Sequence, residues 1–203
     1  MESITLENGM RFHLVPLSEE EIMPTLKICD ECVGENLYTK GDLEEAVCSE
    51  DSFYYLLKTD DGETAGYIYY YLTDKESIAA AAKLDTGIFD PVYSDKKKKV
   101  GKLQSIGLKE HYRDMGLAVF MTEAMIRELS LKAVEAVFVV CWRPGGYVPL
   151  KETLLRCGFS FLAESHRVWY DRKDLICPYC RGRCICDAEI YYMLACEVNS
   201  DEN

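Results

Sequence analysis

The sequence lacks an apolar run long enough to cross a bilayer. Its longest, at residues 136–142, is far shorter than the roughly 20 residues that a membrane-spanning helix needs. No basic segment followed by an apolar stretch comes after Met1-Glu2-Ser3, so a secretory signal is not expected. We therefore expect a cytoplasmic protein that is not embedded in a membrane.

Positive charge is also scarce. The 23 Lys and Arg residues face 35 Asp and Glu residues, and the formal net charge is −12. Such a field repels phosphate backbones and disfavours bulk binding to nucleic acid, whereas a cationic amine would be attracted.

What the chain does contain is ordinary globular composition in 203 residues, which suits a single α/β domain over 1–203. No internal repeat is visible. Alternation and helical spacing predict strands and helices in the order β-α-α-β-β-β-α-β-α-β-β, which implies a mixed sheet with helices on its faces. The predicted strands are 10–17, 53–58, 64–73, 100–112, 137–142, 159–170 and 188–196. Two helices are predicted at 39–47 and 149–157. A third begins after Ser18-Glu-Glu-Glu21, a predicted capping box, and a fourth begins at Gly116.

Ten cysteines without an export signal argue for thiols or metal ligands rather than disulfides. Four of them, Cys177, Cys180, Cys184 and Cys186, lie in a cysteine-rich loop at 171–187 between the last two predicted strands. A C-x-x-C pair with a nearby glycine favours structural zinc bound by all four thiolates. Free thiols and C-x-x-C redox chemistry are the alternatives.

The turn from 108 to 119 is the most informative segment. A predicted strand ends there, a short turn carries Arg113, and a helix begins with the small residues Gly116 and Ala118. The first amides of a helix have no acceptor within the helix and can hold an anion such as a pyrophosphate. An ordinary helix start is the competing interpretation, because many strand-turn-helix segments share these features.

The pattern Arg113-x-x-Gly116-x-Ala118 resembles the Q/R-x-x-G-x-G/A motif of the GNAT superfamily of acyl-CoA-dependent N-acyltransferases. Gly158-Phe159 is similar to the Gly-Phe that ends the last helix of that family. The resemblance implies a mixed, mostly antiparallel twisted sheet flanked by helices, and acetyl-CoA as cosubstrate. It also implies direct transfer of the acetyl group to an amine, without an acyl-enzyme.

The same resemblance implies a binding mode for the cofactor. The strand before the turn would carry a bulge, and Leu108 and Glu110 would pair with the pantetheine, with the Leu108 amide near the thioester carbonyl. The strand at 137–142 would splay away. The implied cofactor-binding residues are Leu108, Lys109, Glu110, Arg113, Asp114, Met115, Gly116, Leu117, Ala118 and Val119.

The sequence departs from the family pattern at the expected general acid. Leu154 stands where the family often has a tyrosine, and Pro149 where it often has an asparagine. Tyr147 is a substitute candidate, and Glu110 and His111 are candidates for the general base. The alternative function is therefore a non-catalytic acyl-CoA-binding domain or a zinc-stabilised protein-interaction domain.

The sequence does not identify the acceptor. A small-molecule amine and a protein amine both fit the acidic balance, and the tyrosines at 67–71 either line an acceptor pocket or pack the sheet. A homodimer is the default expectation for such a domain.

Overall fold

The computed structural model describes residues 2–92 and 99–194. These residues form an eight-stranded sheet in the order β1-β2-β3-β4-β5-β6-β8-β7. Its strands are β1 (Ser3–Thr5), β2 (Arg11–Pro16), β3 (Ser52–Thr59), β4 (Thr64–Thr73), β5 (Val100–Leu108), β6 (Ala136–Arg143), β7 (Ser160–Ser165) and β8 (Asp187–Leu194). The α-helices are α1 (Ile22–Val33), α2 (Lys40–Cys48), α3 (Lys75–Ala82), α4 (Leu117–Leu131) and α5 (Lys151–Arg156).

Every strand pair in this sheet is antiparallel except β5 and β6. That pair is parallel, and α4 makes the crossover between its two strands. The mixed, mostly antiparallel sheet implied by the resemblance is thus confirmed. Among the described residues, no helix combines the length and apolar character needed to cross a membrane.

The helices cover both faces of the sheet. On one face α4 and α5 pack on inward residues such as Leu57, Leu103 and Val139. On the other face α1 and α2 pack on Tyr54 and the neighbouring strand residues. On this same face α3 packs on β5, β6 and β8. The phenols of Tyr55 and Tyr70 donate hydrogen bonds to Glu128 of α4 at 3.0 and 2.6 Å. These bonds tie α4 to the antiparallel half of the sheet.

The predicted element order omits two elements that the structure contains. One is the short edge strand β1, and the other is α3. Asp74 caps α3 by accepting a hydrogen bond from the amide of Ser77 at 2.6 Å. The sequence KESIAAAA carries few large apolar residues, so the helical spacing that marks the other helices is weak here.

Two of the predicted strands extend too far, and the end of a third is not tested. The strand predicted at 100–112 ends at Leu108, because a single 3₁₀ turn at Glu110–Tyr112 replaces its last residues. The strand predicted at 159–170 ends at Ser165, and the last two residues of the strand predicted at 188–196 lie outside the described part of the chain.

The capping box predicted at Ser18 does not form. The Glu21 amide donates to the Ser18 backbone carbonyl at 3.0 Å, within a 3₁₀ turn, and the serine hydroxyl donates to the Glu21 carboxylate instead. A complete capping box occurs at the start of α2, between Thr39 and Asp42. The helix predicted at 39–47 therefore begins where it was expected.

The backbones of β4 and β5 approach each other closely at Gly66, so a larger residue there should destabilise the protein. A Cβ atom on Gly66 would lie 2.3 Å from the carbonyl oxygen of Gly107, which is backbone and cannot rotate away. We expect Gly66→Ala to lower the free energy of unfolding by roughly 1–3 kcal/mol, as overpacking does. Urea denaturation followed by circular dichroism would measure it.

The matched control is Gly41→Ala in the first turn of α2. Its Cβ would make only an ordinary 3.8 Å contact with the Thr39 side chain, and alanine is favoured over glycine in a helix by up to about 1 kcal/mol. Equal stability changes for the two variants would contradict the close approach of β4 and β5.

Candidate active site

A groove opens where β5 and β6 separate. The two strands pair only at Gly101↔Val137, Lys102↔Phe138 and Leu103↔Val139, after which both continue without pairing to each other. The groove between and beside them has a volume of about 1030 Å³, at the upper end of the ~300–1,000 Å³ common for ligand sites. The predicted splaying of the strand at 137–142 is confirmed.

A β-bulge in β5 marks the point of separation. On β4 the neighbours Tyr69 and Tyr70 pair with Ser105 and Leu103, so Gln104 is the extra residue on β5. A bulge disrupts the ladder and increases the local twist. It therefore helps turn the second half of β5 away from β6, as the resemblance implied.

The backbone of the second half of β5 faces the groove at alternate residues. The Lys109 amide donates to the Ala65 carbonyl across β4 at 2.9 Å. By antiparallel alternation, the backbone groups of Ile106 and Leu108 point away from β4 and toward the groove. The Leu108 carbonyl accepts a hydrogen bond from Arg113 Nε at 3.1 Å, which fixes Arg113 at the mouth of the groove.

At this mouth the start of α4 is free of side-chain caps. Gly116 is its N-cap residue with φ +77°, and Asp114 before it also has positive φ, at +61°. Within the described residues, the backbone amides from 114 to 119 have no hydrogen-bond acceptor. The first turn of α4 carries no acidic residue, and a Cβ on Gly116 would touch nothing within 4 Å. The dipole and the free amides together give this turn the capacity to bind an anion.

The sequence-predicted catalytic residues do not line this groove. His111 lies in the turn after β5, where its Nε2 is 3.6 Å from Glu63 on the β3–β4 hairpin. Hydrogen bonds from Tyr112 and Lys109 hold the pKa of Glu63 below its usual range. Glu110 stands in the same exposed turn. Tyr147 is 61% exposed, in the loop before α5.

Leu154 and Pro149, which depart from the family pattern, lie in different environments. Leu154 is fully buried in the core beneath α4 and α5. Pro149 lines the groove together with Val148 and Leu150. No hydroxyl therefore stands at either position to act on a leaving group.

Away from the mouth, one wall of the groove is aromatic. Tyr69 and Tyr71 line it, whereas Tyr67 and Tyr70 are buried in the packing on the two faces. Of these four tyrosines, two therefore line the groove and two pack the sheet. Tyr38, from the α1–α2 connection, crosses toward β5 and hydrogen-bonds Ser105 at 2.6 Å.

Sequence analysis missed Lys102, which is 7% exposed and lines the groove. Burial lowers its pKa to about 8. The available signal was a single lysine among Val100, Gly101 and Leu103. A lone charge in an apolar strand is more often solvated at an edge, so this signal alone did not identify a buried amine.

The four loop cysteines converge. Their Sγ atoms all lie within 4.8 Å of one another, with Cys180–Cys186 at 3.5 Å and Cys177–Cys186 at 4.0 Å. Four sulfurs bound tetrahedrally at about 2.3 Å from a metal ion are about 3.8 Å apart. A disulfide needs about 2.05 Å between its sulfurs, and no described cysteine forms one. The arrangement could hold a metal ion.

The local backbone supports the same interpretation. The Cys180 amide donates to Cys177 Sγ at 3.5 Å, and the Cys177 amide and carbonyl bond to Gly182 and Arg181 at 2.8 Å. This tight knuckle presents two sulfurs on one side. Burial raises the pKa of Cys184 to about 11, so without a cation this thiol would remain protonated at neutral pH.

The cysteine loop also forms part of the groove. Cys177, Pro178 and Cys184 line it. Two hydrogen bonds connect the loop to the segment after α1. The Ile176 amide donates to the Glu35 backbone carbonyl at 3.0 Å, and the Arg172 guanidinium donates to the Leu37 carbonyl at 2.9 Å. The cluster therefore forms part of the groove wall.

Two comparisons by sequence found no match. No protein-family model matches the chain, and no curated protein matches it significantly. The fold, in contrast, is widely shared, with 398 significant matches among solved protein chains.

Three solved structures illustrate the likeness. Arabidopsis thaliana NAA60 in complex with acetyl-CoA aligns with a TM-score of 0.68 at 13% identity, over 90% of this chain and 98% of that one. The ribosomal-protein-S18-alanine N-acetyltransferase from Escherichia coli gives 0.63 at 12%, over 95% and 99%. A spermidine N-acetyltransferase SpeG variant from Vibrio cholerae gives 0.60 at 10%, over 94% and 98%. The chain has the GNAT fold.

Proposed function

We propose that this chain of GNAT fold is an N-acetyltransferase that binds acetyl-CoA and transfers the acetyl group directly to an amine. The observation that carries the proposal is the groove between β5 and β6, which begins at the uncapped start of α4. An anion site joined to a strand-lined slot suits a long cofactor that has phosphates at one end.

Each part of the groove has a role in this proposal. The amides from 114 to 119 hold the pyrophosphate, and Arg113 at the mouth adds positive charge. The pantetheine pairs with the groove-facing backbone of Ile106 and Leu108. A Leu108 amide near the thioester carbonyl would stabilise the oxyanion as the tetrahedral intermediate forms.

The acceptor amine enters from the opposite end. The walls there combine the aromatic rings of Tyr38, Tyr69 and Tyr71 with the cysteine loop. The net charge of −12 favours approach of a cation. The named acceptors of two fold neighbours, a ribosomal-protein alanine and spermidine, differ widely. A panel of both small amines and peptide N-termini is therefore the appropriate screen.

Gly116 offers a direct test of cofactor binding. A glutamate there would place a carboxylate among the amides that hold the pyrophosphate. We expect calorimetry to give a micromolar dissociation constant for acetyl-CoA with the native protein. Gly116→Glu should weaken binding at least a hundredfold, because it blocks and repels the phosphates.

Gly9→Glu is the matched control for this test. Gly9 also has positive φ, at +84°, and open space around its Cα, but it lies in the β1–β2 turn. The control makes the same change in charge and backbone strain, and it should bind like the native protein. Equal binding by both variants would place the cofactor elsewhere. No binding by the native protein at millimolar acetyl-CoA would end the acetyltransferase proposal.

We also propose that Cys177, Cys180, Cys184 and Cys186 bind a structural zinc ion. All four coordination positions would be filled by thiolates, so the ion would have no open site for catalysis. Its contribution would be to hold the loop against the groove. The separations between the four sulfurs support this assignment.

Metal content distinguishes this assignment from free thiols. We expect about one zinc per chain in the purified protein by elemental analysis, and a large loss in Cys180→Ser. Cys48→Ser, at the exposed end of α2, is the control and should keep its zinc. A chelator should lower the thermal midpoint of the native protein toward that of Cys180→Ser. Full stability of metal-free protein would contradict a structural role.

A further inference from the structure

Lys102 lies at the vertex of the groove. It pairs with Phe138 in the short parallel stretch, and one residue later β5 and β6 separate. Gly101 and Leu103 face α4, since a Cβ on Gly101 would meet Leu129 and Leu103 packs in the α4 core. By alternation the Lys102 side chain projects to the other face, where it lines the groove.

Its amine has only neutral partners. Nζ donates to the Tyr71 hydroxyl at 3.0 Å and to Gln104 Oε1 at 2.7 Å. No carboxylate of the described residues lies within ion-pair distance of it. A buried ammonium without an anion is costly, so burial stabilises the neutral amine relative to that of an exposed lysine. Burial is the cause that lowers its pKa, to about 8.

The surrounding ionisable groups do not reverse this preference. On β4, burial raises the pKa of Tyr71 to about 12, so its phenol is neutral near pH 8. Beyond the end of α3, Lys83 is paired with Asp171 at 2.6 Å. The other ionisable groups on the groove wall, by element, are Cys32 on α1, Tyr38 after it, Asp42 and Glu45 on α2, Tyr69 on β4, Arg113 after β5, Cys141 on β6, and Arg172, Cys177 and Cys184 in the cysteine loop.

We infer that Lys102 is the catalytic residue that exchanges protons during acyl transfer at this groove, an inference that rests on the proposed function. Its neutral amine removes a proton from the incoming ammonium R–NH₃⁺ and becomes an ammonium. The freed amine attacks the thioester carbon, forming the C–N bond. The C–S bond then breaks and coenzyme A leaves as a thiolate.

Lys102 and solvent together account for both protons that leave the acceptor nitrogen. The protonated Lys102 gives its proton to the thiolate and returns to the neutral amine. The second proton lost from the acceptor nitrogen goes to solvent. The sum is one amide, one thiol and one released proton for each ammonium and thioester consumed. Lys102 thus serves as base and then as acid.

The first experiment measures the amine itself. Protein labelled with ¹³C at the lysine ε carbon gives one signal that is absent in Lys102→Arg. We expect this signal to titrate with a midpoint near 8 and to shift on addition of coenzyme A. A midpoint above 10, or no response to coenzyme A that is shown to bind, would overturn the inference.

The second experiment uses whichever amine of the panel is acetylated. Because only the neutral amine accepts a proton, kcat/KM of the native protein should rise with pH through about 8 and then level off. Lys102→Met and Lys102→Arg should lower kcat at least a hundredfold, with the KM for acetyl-CoA little changed. In both variants the rise of kcat/KM near pH 8 should also be absent. Lys40→Met, an exposed lysine on α2, is the control and should behave like the native protein.

A merely structural lysine gives a different result. Replacing a buried amine that has no ion-pair partner by methionine, an apolar side chain of similar length, should leave the thermal midpoint nearly unchanged, so a large fall in stability would indicate a packing role. A Lys102→Met protein within threefold of native kcat would overturn the inference and leave the proposed function intact. If no amine of the panel is turned over although acetyl-CoA binds, the proposed function fails instead, and the NMR titration still reports on Lys102.

Discussion

The structure depends on two neighbouring parallel strands that pair for three residues and then separate. In a continuous sheet, the outward backbone groups of β5 beyond Leu103 would bond to β6. Separation leaves those of Ile106 facing a groove, where water or an extended ligand must satisfy them. The groove follows from this one interruption, and the uncapped start of α4 lies at its mouth, where the sheet opens.

Strong pairing on the outer sides keeps the two strands apart. β6 is held by β8 over eight residues, from Ala136↔Leu194 to Arg143↔Asp187. β5 is held by β4 as far as Gly66↔Leu108, across the bulge at Gln104. Each strand follows the twist of its own half of the sheet, and the two halves diverge. The opening is thus a rigid feature of the backbone rather than a gap between mobile loops.

Local signals predicted much of this arrangement and tertiary contacts explain the rest. Gly116 and Arg113 located the start of α4, and the tyrosine-rich run of β4 and the continuous apolar run of β6 located those strands. The mostly antiparallel sheet and the splayed strand were implied by the resemblance to the GNAT superfamily. The placement of Lys102 could not be read in the same way, because it depends on Tyr71, which is 31 residues away in sequence, and on α3, whose helical pattern is weak. The closeness of the cysteine loop to the groove likewise rests on contacts with the segment after α1.

The strand order has a consequence for synthesis of the chain. β8 is the last strand of the described residues, yet it lies between β6 and β7. Until residues 187–194 leave the ribosome, the outer edge of β6 has no neighbour and β7 has nothing to pair with. The antiparallel half from β1 to β5 can assemble earlier. The nascent protein therefore exposes an apolar strand edge, which is prone to wrong pairing, until β8 has been made.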